Sequence, residues 1–284
     1  MKDGTLWLAR ADGLEKRQLI SMPEDSAITN HLWSRDGQRI YFNVGLNLFE
    51  FRLAESKAAM LGTLRAEPGL MIDRLELSQD GQTLLVKAVT EEAALNAIPR
   101  LYAFVLRQGE TRELTVDEYR LLAPAQPAVV RQAGDLSVSP DGKSLLFREA
   151  VGPNDQLFVS DLETGARYQV TELDQLRDFD PSVAPDSGRR IMEATWSPDG
   201  RYIVFTPMQS CSELGLCFGR TYLVDAGGGA QLQLALEMAA NLAIEWNQAG
   251  TLLVYDDGGQ VLLSDTHGQI KLLSEGNQPR WQPG

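Results

Sequence analysis

The sequence predicts an all-β chain folded as a six-bladed β-propeller, and three observations lead there. A tight-turn motif recurs along the whole length. Each complete copy runs into a short apolar strand. The copies lie far enough apart for four-stranded blades, which repeat at about 40–45 residues and take insertions in their loops. The copies are Trp33-Ser34-Arg35-Asp36-Gly37, Leu77-Ser78-Gln79-Asp80-Gly81, Val138-Ser139-Pro140-Asp141-Gly142 and Trp196-Ser197-Pro198-Asp199-Gly200. Trp246-Asn247-Gln248-Ala249-Gly250 is a worn copy, and Trp281-Gln282-Pro283-Gly284 begins a sixth.

The turn has a local physical cause. Asp-Gly makes a tight hairpin, because glycine adopts positive φ without steric cost and proline presets the preceding angle. Bulky and β-branched residues then suit a strand packed on a neighbouring sheet. These strands are Arg39-Ile40-Tyr41-Phe42, Thr83-Leu84-Leu85-Val86, Ser144-Leu145-Leu146-Phe147, Tyr202-Ile203-Val204-Phe205 and Leu252-Leu253-Val254-Tyr255.

Each repeat continues with two more strands. Blade one offers Asn47–Arg52, and blade two Arg100–Val105 and Thr111–Thr115. Blade three offers Gln156–Asp161 and Arg167–Thr171 about a Leu162-Glu163-Thr164-Gly165 turn. Blade four offers Arg220–Asp225, and blade five Gln260–Asp265 and Gln269–Leu273. The N-terminus reads as the outer pair of a last blade, Thr5–Arg10 and Glu15–Leu19. Its inner part comes from 277–284, so the two termini share the closing blade and seal the ring. The expectation is a single domain over 1–284, of four-stranded antiparallel blades. Blades start near 28, 72, 133, 191 and 241, and the closing blade joins 277–284 to 5–20. The second strand of that closing blade is not found at either end. The sixth blade has three strands or the chain is a fragment, and the reading favours the fragment.

Composition narrows the function. With 26 Lys and Arg against 39 Asp and Glu, the net charge is -13. That argues against a nucleic-acid binder, which needs a basic face for phosphates, and against docking on an anionic membrane. No apolar run approaches the ~20 residues of a membrane span. No secretory signal follows Met1-Lys2-Asp3-Gly4. Cys211 and Cys217, the only two cysteines, are either free thiols in a loop or a disulfide closing a hairpin tip, which would imply an oxidising compartment.

At these residues the chain resembles the TolB-like, WD-like repeat of bacterial six-bladed propellers. Ser139-Pro140-Asp141-Gly142-Lys143-Ser144-Leu145-Leu146-Phe147, followed by Leu157-Phe158-Val159-Ser160-Asp161, carries the resemblance best. It extends over nearly the whole chain, with blade five departing at Ala249. The resemblance implies a fold that hosts many functions.

The strand before each turn motif should be the innermost of its blade and open onto a central channel. Three residues before the anchors stand Asn30, Arg74, Asp135 and Glu193. One residue before them stand Glu76, Glu245 and Arg280. Apolar residues lie between, as on a strand with one packed and one wetter side. These residues are the expected channel and rim, joined by Arg190 and Asn241 from the connecting loops. Insertions at 116–134 and 172–190 should open near the channel mouth, where long loops on a rigid scaffold often bind. Glu91–Ile98 reads as a short helix.

No catalytic motif is evident. There is no Gly-x-Ser-x-Gly elbow, and His31 and His267 supply a Ser-His-Asp triad poorly. Ala226-Gly227-Gly228-Gly229 reads as a hairpin turn, not a phosphate loop. Asp256-Asp257-Gly258-Gly259 lacks the calcium-loop spacing. The expectation is therefore a non-catalytic propeller module, with no cofactor and no metal, that docks a protein or peptide at the channel mouth. It would be a monomer, periplasmic or extracellular, or otherwise cytoplasmic. The alternatives are a hydrolase or lactonase-type enzyme holding a channel cation such as calcium on Asp135, Glu193, Asn241 and Glu245, and the gating domain of a prolyl-oligopeptidase-like serine peptidase.

Overall fold

The computed structural model describes residues 4–12, 14–23, 26–67, 69–90, 99–123, 136–176, 190–211, 217–234, 244–257, 259–276 and 278–283; the side chains of 208–211, 217–218 and 257 are outside that description. The expected helix at 91–98, most of both long insertions, Asp135 and Asn241 lie outside the described residues.

The chain is a six-bladed β-propeller by its sheets. An N-terminal hairpin, β1 (Thr5–Ala9) and β2 (Lys16–Ser21), forms one two-stranded antiparallel sheet. Blade one is β3 (Ile28–Trp33), β4 (Arg39–Val44), β5 (Asn47–Arg52) and β6 (Lys57–Thr63). Blade two is β7 (Leu70–Leu77), β8 (Thr83–Thr90), β9 (Arg100–Val105) and β10 (Glu110–Leu114). Blade three is β11 (Leu136–Val138), β12 (Ser144–Val151), β13 (Asn154–Asp161) and β14 (Arg167–Gln169). Blade four is β15 (Ile191–Trp196), β16 (Tyr202–Cys211), β18 (Tyr222–Asp225) and β19 (Leu232–Gln233), with β17 (Cys217–Gly219) paired on the extension of β16. Blade five is β20 (Glu245–Trp246), β21 (Leu252–Asp257), β22 (Gln260–Asp265) and β23 (Ile270–Glu275).

Contacts divide the chain into two compact units, 1–125 with 280–284, and 126–279. Within each unit the blades pack by one rule. The second and third strands of a blade lay apolar side chains on the next blade. Tyr41 and Leu48 of blade one join Leu75, Leu84 and Phe104 of blade two. Leu146, Leu157 and Val159 of blade three join Ala194, Ile203 and Phe205 of blade four. Val204 and Leu223 of blade four join Leu253 and Tyr255 of blade five. Leu6 of the N-terminal hairpin joins Ile28, Ile40, Phe42 and Phe51 of blade one.

Hydrogen bonds explain the spelling of the turn motif. The Ser34 hydroxyl donates to the Asp36 carboxylate at 2.5 Å, and its oxygen accepts the Arg39 amide at 2.9 Å. Ser78, Ser139 and Ser197 repeat this with Asp80, Asp141 and Asp199, each at 2.6 Å. Those hydroxyl bonds hold the carboxyls of Asp36, Asp80 and Asp141 below the usual aspartate range. Blade five dispenses with the aspartate because Asn247 does the accepting itself. Its side-chain oxygen takes the amides of Thr251 at 2.9 Å and Leu252 at 3.1 Å.

The turns also stack on one another. A β-carbon built on Gly81 would stand 3.1 Å from Cδ of Arg35, and one on Gly200 would stand 3.5 Å from Cδ of Pro140. Arg35 and Pro140 each hold the third place in the preceding motif. Gly37 meets Pro283, the third place of the sixth motif, with its carbonyl oxygen 2.9 Å from a β-carbon at Gly37. Gln282 Nε2 donates to the Gly37 carbonyl at 2.8 Å. Residues 281–283 thus lie against the turn of blade one, and 278–283 join no strand ladder.

One helix differs from the expected loop. Val116–Leu122, α1, opens the insertion after blade two. Thr115 and Glu118 close a capping box, each side chain bonded to the other's backbone amide. The Thr115 amide and Arg112 hold the Glu118 carboxyl down at about 2.

Candidate functional site

The inner strands do not alternate simply. Those of blades one, two and four carry a bulge near the start, between Ile28 and Asn30, Ile72 and Arg74, and Ile191 and Glu193. The isoleucine five places before each anchor is buried. The extra residue breaks the ladder locally and re-aims the side chains after it, which is the usual effect of a bulge. The expected site residues Asn30, Arg74 and Glu193 each stand just after it.

Their partners across the ladder are absent from the sequence-based expectation. Asn30 opposes Asn43, Arg74 opposes Lys87, and Glu193 opposes Thr206. All three partners lie ten places after the anchor, and blades three and five place Arg148 and Asp256 there. In every one of the five second strands a polar residue follows the three-residue apolar run. That pattern is present in the sequence and needs only a count from the anchor.

Several of these polar groups hydrogen-bond to backbone, in two cases that of the next blade. Asn30 Nδ2 donates to the Ile72 carbonyl at 3.2 Å, from blade one to blade two. Arg148 Nη1 donates to the Ile191 carbonyl, from blade three to blade four. Arg148 also lies 3.3 Å from Asp155 Oδ2, and that oxygen accepts the Ile191 amide at 3.2 Å. Both side chains are about nine-tenths buried, at 9% and 10% exposure. The Asp256 carboxylate accepts the Gln278 amide at 3.0 Å. Asn43, wholly buried, donates to Thr29 Oγ1 at 2.7 Å and to the Gly45 carbonyl at 2.8 Å. A buried carbonyl left unpaired costs about 1–3 kcal/mol, so each latch matters to stability.

On blade two the expected Arg74 and Glu76 come together. Arg74 Nη1 and Lys87 Nζ lie 3.6 and 3.7 Å from Glu76 Oε1. The Glu76 side chain is 12% exposed and the Arg74 side chain 53%. Lys87 also sits 5.2 Å above the ring of Tyr119 from α1. Burial, and then the Glu76 carboxylate, push the Tyr119 hydroxyl well above its ordinary pKa.

The remaining expected residues are placed one by one. Arg190 is exposed, directly before β15, and Glu193 is half-buried within it. Glu245 is half-buried as the first residue of β20. Arg280 is exposed beside Trp281. Cys211 and Cys217 stand as direct Cα partners across the β16–β17 ladder. Of the four residues weighed for calcium, two are outside the described set. Among the described residues no group of three or more His, Cys, Asp or Glu is placed to hold a metal, and no helix is long and apolar enough to cross a membrane.

No family model matches the chain. It is 23% identical over 206 residues to dipeptidyl-peptidase 5 of Porphyromonas endodontalis, a match covering 70% of this chain and 25% of that protein. Among solved structures, TolB from Acinetobacter baumannii aligns with 99% of this chain and 63% of its own, at 19% identity and a TM-score of 0.49. The AtxE2 isopeptidase without ligand aligns with 97% of this chain and 47% of its own, at 12% identity and a TM-score of 0.55. The chain therefore spans about a quarter of the curated relative it matches and less than two thirds of these two structures. At such identities the structural likeness speaks to the propeller fold alone.

Proposed function

We propose that the chain is a non-catalytic, extracytoplasmic propeller module that docks an acidic segment of a protein partner along the inner strand of blade two. One observation carries the reading. In a chain of net charge -13, the arginine of that strand is exposed and the glutamate beside it is drawn in. The Arg74 side chain is 53% exposed, while that of Glu76 is 12% exposed. A guanidinium is well matched to carboxylates, and rigid strands present it without an ordering cost.

The test uses two labelled 12-residue peptides, one rich in glutamate and one rich in lysine, in a fluorescence-anisotropy titration. The overall charge alone favours the lysine peptide. Preferred binding of the glutamate peptide, weakened about three- to tenfold in Arg74→Glu, supports the proposal. Preference for the lysine peptide, or indifference of the variant, sinks it. A location outside the cytoplasm further predicts that protein recovered from its host titrates two thiols only after reduction.

A second reading has its own support in the match to dipeptidyl-peptidase 5. On it, this propeller admits peptides to a peptidase. It requires that the product of the complete gene release dipeptides from a chromogenic substrate; a product inactive on peptides rules it out.

A further inference from the structure

Arg74, Glu76 and Lys87 share the face of blade two that α1 covers. Arg74 and Lys87 are direct partners in the β7–β8 ladder, and Glu76 stands two places further along β7 on the same side. Leu85 is on that side of β8 as well, where it packs with Leu101, Leu114 and Tyr119. The three charged residues are therefore the polar end of an otherwise apolar face.

The charges at that end do not balance, because two cations meet one carboxylate. Arg74 Nη1 and Lys87 Nζ lie 3.6 and 3.7 Å from the same oxygen, Oε1 of Glu76. Those are ion-pair distances, longer than the roughly 2.7–3.2 Å of a hydrogen bond. Among the described residues neither cation donates a side-chain hydrogen bond. Arg148 is the opposite case, its guanidinium committed to the Ile191 carbonyl and to Asp155. A guanidinium carries five donors and an ammonium three. This corner of blade two thus holds one unmatched positive charge and a full set of uncommitted donors, in a chain of net charge -13.

The cations are held at different depths. The Arg74 side chain is 53% exposed, that of Lys87 29% and that of Glu76 12%. Lys87 stays in place because its ammonium stands 5.2 Å over the Tyr119 ring, within cation–π range. Tyr119 is itself buried, and its hydroxyl has no hydrogen-bond partner among the described residues. A carboxylate arriving from solvent meets Arg74 first and Lys87 deeper in.

We infer that Arg74 and Lys87 form one subsite for the side-chain carboxylate of a glutamate, which gives one oxygen to each cation. Lys87 is then the residue that sets specificity. An aspartate, one methylene shorter, engages Arg74 and falls short of Lys87. The inference rests on the acidic-segment reading and adds to it which side chain the segment must present.

The test compares two labelled 12-residue peptides of one sequence, differing only in whether their acidic residues are glutamate or aspartate. Anisotropy titration should show the glutamate peptide binding about three- to fivefold more tightly. Lys87→Met keeps the apolar stem without the charge and should erase that preference, chiefly by weakening the glutamate peptide. Equal weakening of both peptides would be a long-range effect of the lost charge and overturns the inference. So does equal affinity for the two peptides in the unaltered protein, a comparison that needs no variant. The two readings fail separately. A glutamate peptide that binds through Arg74 with no advantage over aspartate leaves the docking and removes the subsite, whereas binding by neither peptide removes both. Displacement of the peptide by free glutamate at the same carboxylate concentration assigns the corner to small acids and overturns the inference too.

Discussion

Blade two and blade four each carry a buried isoleucine just before the bulge of the inner strand, and each isoleucine carbonyl is taken up by a side chain from the blade before. At Ile72 the donor is the neutral amide of Asn30, from an inner strand. At Ile191 it is the guanidinium of Arg148, from a second strand, buried with Asp155. The requirement is set by the backbone, while the chemistry that meets it is open. The two solutions should differ in how they fail. An amide removed leaves one carbonyl unpaired; a buried cation removed leaves a carboxylate stranded as well.

The largest effect is expected at the charged latch. Arg148→Ala should lower unfolding stability by about 3–5 kcal/mol in a denaturant titration, because Asp155 is left charged in an apolar setting. Arg148→Met combined with Asp155→Leu should lose clearly less than Arg148→Ala alone. Equal losses would mean that the pair is not coupled. Next comes Gly37→Ala. A left-handed alanine costs about 1–2 kcal/mol by itself, and here its β-carbon also meets the Pro283 carbonyl at 2.9 Å. Gly142→Ala shares the positive φ but meets no described atom within 4 Å, so it should cost less. Asn30→Ala should cost about 1 kcal/mol, the neutral counterpart of the Arg148 loss.

The smallest effect is acidic. The folded pKa values of Asp36, Asp80 and Asp141 lie below the unfolded 3.8, chiefly through the Ser34, Ser78 and Ser139 hydroxyls. Their contribution is complete above that value and is lost as pH falls through the folded values. Asp80→Asn should therefore lower stability slightly at neutral pH, by an amount that vanishes at acid pH, and so flatten the acid limb. A steepened limb would show that the serine bonds do not stabilise the ionised form.

The turns are legible in the sequence because their cause is local. Ser, Asp and Gly within five residues complete the whole bond set, so a short window reveals each blade. The core is legible with them, since the strand after each turn carries a run of three apolar residues about a buried middle one such as Leu85 or Leu146. The bulges are not legible. Nothing in Ile72-Asp73-Arg74 marks Asp73 as the extra residue, because its cause lies in pairing with a distant strand. Without the bulge the roles of Arg148 and Lys87 stay hidden, and both read as ordinary polar ends of apolar strands. The capping box of Thr115 and Glu118 is readable, but its segment is short enough to pass for part of a long loop. Glu76 stands out by its place before the anchor, while its partners Lys87 and Tyr119 come from a second strand and a helix that only the fold brings near.

The bond between Gln282 and Gly37 joins residues 245 apart in the chain. A chain made from its N-terminus exposes blade one long before its turn has anything to rest on. Until residues 281–283 leave the ribosome, Gly37 waits with an unfilled neighbour, and the N-terminal hairpin is the cover blade one has. The late contact closes a very long loop, whose entropic cost precedes any stabilisation the contact brings. Blade one is thus early in synthesis and late in completion, and removal of residues 281–284 should be felt most at the opposite end of the sequence.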